Sequence, residues 1–284
     1  AFRAEVFFAR LRTARLGRVM LYAPTLPSTQ TAMFKEFQNE DDGVVCLADR
    51  QAAGRGRGEN TWVSPAGCLS FTVATSLNEA SLLPFFQYLV SMAVYNAVSK
   101  LCGADAKEAI GLQLKWPNDI YGPGMQKLGG VLCESSVKRV PQAGSPPSFY
   151  ICAGVGLNVD NEEPTTCLRS LMLSKGLEAQ AAALSREVLL AELLNELEVL
   201  SAVLSEQGFT PLRSRYTSMW MHTGQIVQVQ EQGEGSPKEQ AVIRGIAPSG
   251  FLMAESSEGH MLELHPDGNR LDMLQGLIYQ RLRR

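Results

Sequence analysis

Along the chain, apolar residues recur with two different periods, and the switches between them mark out the elements. Val19-Met20-Leu21-Tyr22 is a short apolar run ended by Pro24-Thr25-Leu26-Pro27, which predicts a strand. Met33, Phe34 and Phe37 then follow at helical spacing, and Ser28 or Thr29 stands where an N-cap belongs. Val44 to Ala48 and Leu69 to Thr75 read as further strands. Pro84 opens a long stripe of Phe85, Leu89, Met92, Ala93, Ala97 and Leu101, the pattern of a core helix. Leu112-Gln113-Leu114 and Lys127 to Leu132 predict two strands flanking a proline turn, Lys115-Trp116-Pro117-Asn118-Asp119-Ile120-Tyr121. Phe149 to Val155 continues as a strand and ends in Gly154-Val155-Gly156-Leu157-Asn158. A leucine-rich helix covers Glu187 to Leu204 and stops near Gly208.

From about Trp220 the texture changes to short alternating runs: Ile226 to Val229, Ala241 to Ile243, Gly250 to Met253 and Met261 to Leu264. These predict a small barrel-like β domain appended to an α/β one. The expected organisation is therefore an N-terminal extension over 1–18 with no assigned role, a main domain over 19–219 and a small β domain over 220–284. The extension carries five arginines among apolar residues and is expected to pack as an entry helix rather than lie on a membrane. Polar, glycine- and proline-rich stretches at 140–148 and 231–239 read as exposed hairpin tips.

Composition narrows the function classes. A length of 284 residues at 45% hydrophobic content gives room for one large core and a small one, so disorder is not the default. A net charge of −3 implies no broad basic face, which demotes nucleic acid as a partner. The six cysteines form no C-x-x-C pair and the three histidines lie far from them, so a structural zinc site is not expected. Cysteines inside apolar runs suit a reducing compartment, cytoplasmic or mitochondrial. No apolar run reaches the roughly 18 residues of a membrane span. The chain begins at Ala1 without methionine or the apolar core of a signal peptide, which reads as a processed fragment.

The candidate chemistry centres on Gln51-Ala52-Ala53-Gly54-Arg55-Gly56-Arg57-Gly58-Glu59-Asn60-Thr61-Trp62. Glycines allow φ > 0 and close backbone approach, while each guanidinium presents a planar fork of donors suited to carboxylate and phosphate oxygens. A flexible surface turn with solvated arginines is an equal reading of this stretch alone. Likewise, Ser28 and Thr29 could be caps and nothing more.

Taken together, Ser28-Thr29-Gln30, the GRGRG core at 54–58, KWPNDIY at 115–121, and KLGGVL with GVGLN downstream resemble the biotin protein ligases, the holocarboxylase synthetases of animals. The resemblance covers nearly the whole chain, and HPDGN at 265–269 is similar to the eukaryotic members. It implies an α/β (α+β) fold, a mixed-sheet catalytic domain with packed helices followed by a small SH3-like β-barrel. It implies ATP and Mg²⁺ as cofactors, biotin as substrate and the biotin carboxyl carrier domains of carboxylases as partners. Residue by residue, Ser28, Thr29, Gln30, Gln51, Arg55, Gly56, Arg57 and Lys115 match biotin-binding positions. Gly54, Arg55, Trp62, Asn118, Gly154, Gly156 and Asn158 match the adenylate side, and Lys115 and Arg57 are the catalytic expectations. No metal ligand is assigned. Where bacterial members continue the arginine-rich loop, this chain has Gly58-Glu59-Asn60, and no helix-turn-helix precedes the catalytic part, so no DNA-binding domain and no repressor role is expected. The rival readings are a lipoate or octanoate ligase or transferase of the same fold, and a non-catalytic biotin- or nucleotide-binding regulator.

Overall fold

The computed structural model describes residues 1–37, 42–138, 148–161, 163–231, 238–264 and 277–280. Of the hairpin tips expected over 140–148 and 231–239, residues 140–147 and 232–237 lie outside the described residues, as does the HPDGN segment at 265–269. The chain divides into two compact units, Ala1–Phe209 and Thr210–Arg284.

The first unit opens with α1 (Ala4–Arg10), β1 (Met20–Leu26) and α2 (Thr29–Glu36), followed by β2 (Val45–Arg55), β3 (Thr61–Ser64) and β4 (Cys68–Leu77). Helices α3 (Leu83–Cys102) and α4 (Ala106–Ile110) lead to β5 (Gln113–Lys115), β6 (Asp119–Gly122), β7 (Gln126–Val137) and β8 (Phe149–Asn158). It closes with α5 (Leu168–Ser174), α6 (Glu178–Ala183) and α7 (Arg186–Gln207). The strands form one mixed sheet in the order β1-β2-β4-β8-β7-β6-β5, with β3 hairpinned onto β2. Only β1 and β2 pair in parallel; the other ladders are antiparallel.

Alternation along the central strands decides which face the helices cover. On β4, Leu69, Phe71 and Val73 are fully buried and alternate with Ser70, Thr72 and Ala74. The bulky set faces the layer in which α3 and α7 pack on each other and against β7 and β4. Truncating one such core aromatic costs about 3–5 kcal/mol. Helix α3 is long and apolar enough to cross a membrane by composition, yet 72% of that stretch is buried within the fold, where it serves as the core helix.

The N-terminal segment is tied to α7 by more than packing. Phe7 and Leu16 are fully buried, and α7 turns a row of acceptors toward the segment's backbone. The Arg3 N–H donates to Glu187 at 2.9 Å and the Arg12 N–H to Asn195 at 2.7 Å. The N–H groups of Ala14, Arg15 and Leu16 all donate to the Glu198 carboxylate at 2.6, 2.9 and 2.9 Å. Burial alone would raise the pKa values of Glu187 and Glu198, but these backbone donors outweigh it and hold both below the ordinary value. The expected entry helix is thus present and docked.

The second unit contains α8 (Arg213–Met219), β9 (Ile226–Glu231), β10 (Lys238–Ile246), β11 (Leu252–Ser256), β12 (Met261–Leu264) and β13 (Leu277–Gln280). Its five strands run β12-β11-β10-β9-β13, with β13 parallel to β9. Helix α8 packs on β10, so the unit begins before Trp220, where the strand texture starts.

Candidate active site

The sheet face opposite α3 and α7 carries small and polar residues in rows. Register places Lys115, Asp119, Gly130, Gly156, Ser70 and Ala48 side by side across β5, β6, β7, β8, β4 and β2. The next row runs Leu132, Gly154, Thr72 and Cys46, and the third Glu134, Cys152 and Ala74. Directly paired residues share a face, so the two GVGLN glycines and Gly130 form a shallow floor. Helix α2 covers one end of it, where Met33 packs with Cys46, Ala74 and Cys152. Burial pushes the Cys46 and Cys152 thiols up to about 11 and the Cys133 thiol higher still, which keeps them protonated and unreactive.

A hydrogen-bond network lines the covered end. Ser28, Thr29 and Gln30 are each 3% exposed. Ser28 is the N-cap, its Oγ accepting from the Thr31 N–H at 3.3 Å. Gln51 Oε1 accepts from the Thr29 N–H at 2.8 Å and from its hydroxyl at 3.2 Å. Thr72 Oγ1 lies 3.0 Å from Thr29 Oγ1 and 3.2 Å from Gln30 Oε1. Gln30 Nε2 donates to Glu134 at 3.0 Å and to the Cys152 carbonyl at 3.2 Å. Gly154 has its reason here: a Cβ on it would sit 2.6 Å from Gln30 Oε1.

The opposite side is built from the GRGRG stretch, which is more ordered than a loop. Strand β2 runs through Gln51 to Arg55 and folds back on β3, with Gly54 opposite Trp62. A Cβ at Gly54 would lie 2.3 Å from the Trp62 carbonyl oxygen, and one at Gly56 3.1 Å from Asn60 Cβ. Both glycines therefore serve the hairpin's own close packing. Trp62 in turn lies on the floor, its Nε1 2.4 Å from where a Gly156 Cβ would be.

The arginines diverge. Arg55 is exposed and makes a two-pronged ion pair with Glu134, Nη1 to Oε2 at 3.0 Å and Nη2 to Oε1 at 2.8 Å. Arg57 is half-buried and reaches the proline turn, with Nη1 3.5 Å from Asn118 Oδ1. Asn118 is itself held through its Nδ2, which donates to the Val131 carbonyl at 2.8 Å. In the same turn Trp116 is buried and donates to Tyr88 Oη at 2.8 Å. Lys115 Nζ stands 5.3 Å from the centre of the Tyr121 ring, while Asp119 pairs with Lys127 at 2.7 Å. Asn158 ends β8 buried, its Nδ2 3.3 Å from Thr165 Oγ1 and its Oδ1 buried without a hydrogen-bond partner.

Residues 22–157 match the model of the biotin/lipoate A/B protein ligase family. Over 99% of its length the chain is 36% identical to biotin--protein ligase 2 of Arabidopsis thaliana, of which it covers 83%. It is also 36% identical to the biotin--protein ligase of Homo sapiens over 99% of this chain and 38% of that one. The chain belongs to the biotin--protein ligase family. Its fold is shared with the biotin protein ligase from Aquifex aeolicus in complex with biotin and ATP, at a TM-score of 0.65 and 23% identity, covering 87% of this chain and 95% of that one.

In this ligase the segments that carried the resemblance, scattered from 28 to 158, meet on one sheet face. Two members of the site escaped sequence reading, Thr72 and Glu134. The signal for Thr72 was present in the alternation of Ser70 and Thr72 with Leu69, Phe71 and Val73. For Glu134, only its even spacing from Gly130 along β7 places it on the same face.

Proposed function

We propose that this chain joins biotin to ATP, releasing pyrophosphate and forming biotinyl-5′-AMP, and then passes the biotinyl group to a lysine of a carboxylase carrier domain. The observation that carries this reading is the meeting of Arg57 with Asn118, which brings the GRGRG hairpin and the KWPND turn together over the glycine floor.

In the first step a biotin carboxylate oxygen attacks the α-phosphorus, and the bond from that phosphorus to the pyrophosphate oxygen breaks. Two anions must approach, so fixed positive charge at the reacting centre lowers the barrier. Lys115, at the open end of the floor, and Arg57, above it, supply that charge. Ser28, Thr29, Gln30 and Gln51 present hydroxyls and amides to the ureido ring, which needs both donors and acceptors. Trp62 gives a flat wall for adenine, seated against the sheet because Gly156 has no Cβ to push its ring away. Asn158 Oδ1 supplies a buried acceptor still to be used.

Mg²⁺ bound with the triphosphate would offset part of its charge. Among the described residues no cluster of three His, Cys, Asp or Glu side chains is set up for a metal. In the second step the neutral lysine amine attacks the acyl carbon, the bond from that carbon to the AMP oxygen breaks, and the amine's proton passes to solvent as AMP leaves. The tip of the β2–β3 hairpin, between Arg55 and Thr61, acts as the lid that traps the adenylate and reopens for the carrier.

The test is mass spectrometry of a carrier domain incubated with this protein, biotin and MgATP. A single biotin adduct on one lysine is the expected result. Modification with lipoate in place of biotin would sink the reading in favour of the related ligases.

A further inference from the structure

We propose that Glu134 is a positioning residue that fastens the GRGRG hairpin through Arg55, so that Arg55 holds the hairpin in place rather than gripping the substrate anion. The proposal rests on the adenylating activity proposed above. Its basis is a three-way junction on one carboxylate. Glu134 Oε2 accepts from both Gln30 Nε2 and Arg55 Nη1 at 3.0 Å, while Oε1 takes Arg55 Nη2 at 2.8 Å. One side chain on β7 thereby links the hairpin to the buried amide beside Thr29 and Thr72.

The geometry separates residues that the sequence makes look alike. Arg55 and Arg57 stand two apart in a glycine repeat, and either could grip an anion. Arg55, however, already has a carboxylate across both prongs of its guanidinium, the arrangement that satisfies a planar fork most fully. A substrate carboxylate or phosphate would have to displace Glu134 to use it and would leave that acid facing another anion. Arg57 takes a different course from the same repeat, its Nη1 lying 3.5 Å from Asn118 Oδ1 in the proline turn. Arg55 and Glu134 are 40% and 25% exposed, so solvent weakens the pair. Its value lies in where it holds Gln30 and the hairpin.

The test compares Glu134→Gln, Arg55→Met and the double variant. Glutamine keeps an acceptor for Gln30 but loses the charge that holds Arg55. Each single variant is expected to raise the KM for biotin about five- to tenfold with kcat changed less than about twofold. The double variant should match Arg55→Met alone, because both changes cut one link. A loss confined to the active fraction, with a lowered Tm and an unmoved KM, would show a merely structural pair. A kcat collapse in Arg55→Met with a near-normal Glu134→Gln would overturn the proposal by placing Arg55 on the substrate.

Hydrogen exchange of the free protein separates this idea from the function it rests on. In Glu134→Gln, amides over 51–64 should exchange about tenfold faster than in the parent, with those of α7 unchanged. Unchanged exchange over 51–64 overturns the fastening role, whatever the activity. A parent protein that makes no adenylate but shows the faster exchange would sink the functional reading and leave the junction standing.

Discussion

The two sides of the site are built on opposite principles. At the α2 end, Ser28, Thr29, Gln30 and Thr72 are buried, and their polar atoms are already paired within the protein. At the hairpin end, Arg55 is exposed, Arg57 is half-buried, and the chain returns on itself through glycines. The first side is preorganised: its donors and acceptors stand in place before any ligand arrives, so little ordering entropy is lost on binding. The second side is charged and lies nearer the solvent, held by the Arg55–Glu134 ion pair, and we propose that its tip closes on a reactive intermediate and later lets it go. Under the proposed function, recognition of a neutral ring and containment of an anion call for different mechanical properties, and the two sides of this sheet face differ in that way.

The largest effect should come from the charged side. Lys115→Ala is expected to slow single-turnover adenylate formation by about 10²–10³, the size of losing one preorganised charge-stabilising group. It should leave biotin binding by calorimetry within a few-fold. Near-normal adenylation in this variant would remove Lys115 from the chemistry.

On the preorganised side, Gly154→Ala forces a methyl toward Gln30 Oε1, a side chain locked by hydrogen bonds to Thr72, Glu134 and Cys152. Overpacking of this kind costs about 1–3 kcal/mol. Equilibrium titration should read that as a tenfold or larger rise in the biotin Kd. An unchanged Kd would mean that this wall yields, and the contrast with the hairpin would lose its rigid half.

Arg57→Ala should act on the mobile half alone. Release of the adenylate is expected to quicken about tenfold, in line with loss of a charge-assisted hydrogen bond. The ligand-free Tm should stay within about 1 °C, because half-buried Arg57 lies outside the buried core. A large fall in Tm would show that the arginine is structural.

The smallest effect is in stability and serves as a control, since it comes from the α1–α7 seam outside the site. Glu187 and Glu198 have folded-state pKa values below their unfolded ones. Their contribution is therefore full above the ordinary glutamate value of about 4.3 and is lost as pH falls below it. Melting curves from pH 6 down to pH 3 should show Tm dropping in the acid half. Glu198→Gln should flatten that drop while leaving biotin affinity at neutral pH unchanged.

Much of this was legible in the chain. The strand and helix periods located the core helices closely, since Pro84 to Leu101 became Leu83–Cys102 and Glu187 to Leu204 became Arg186–Gln207. The caps were also readable: Ser28 caps α2 and Gly208 ends α7. These features are local, set by side-chain period and by the needs of helix ends. The motifs at 28–30, 51–62, 115–121 and 154–158 marked the site because their residue types suit its chemistry.

Only the tertiary structure decided the rest, and the reason is the same in each case. Whether Gly54 and Gly56 serve a ligand or their own hairpin depends on what approaches them, and the neighbours are Trp62 and Asn60. The different fates of Arg55 and Arg57 depend on Glu134 and Asn118, tens of positions away in sequence. The arginine-rich start of the chain gained its place from Glu187, Asn195 and Glu198, which meet its backbone from the far end of the unit. Residue type fixes what a side chain can do, and local period fixes which way it points. Which partner it finds is settled by sheet register and helix packing between distant segments, and no local pattern carries that information.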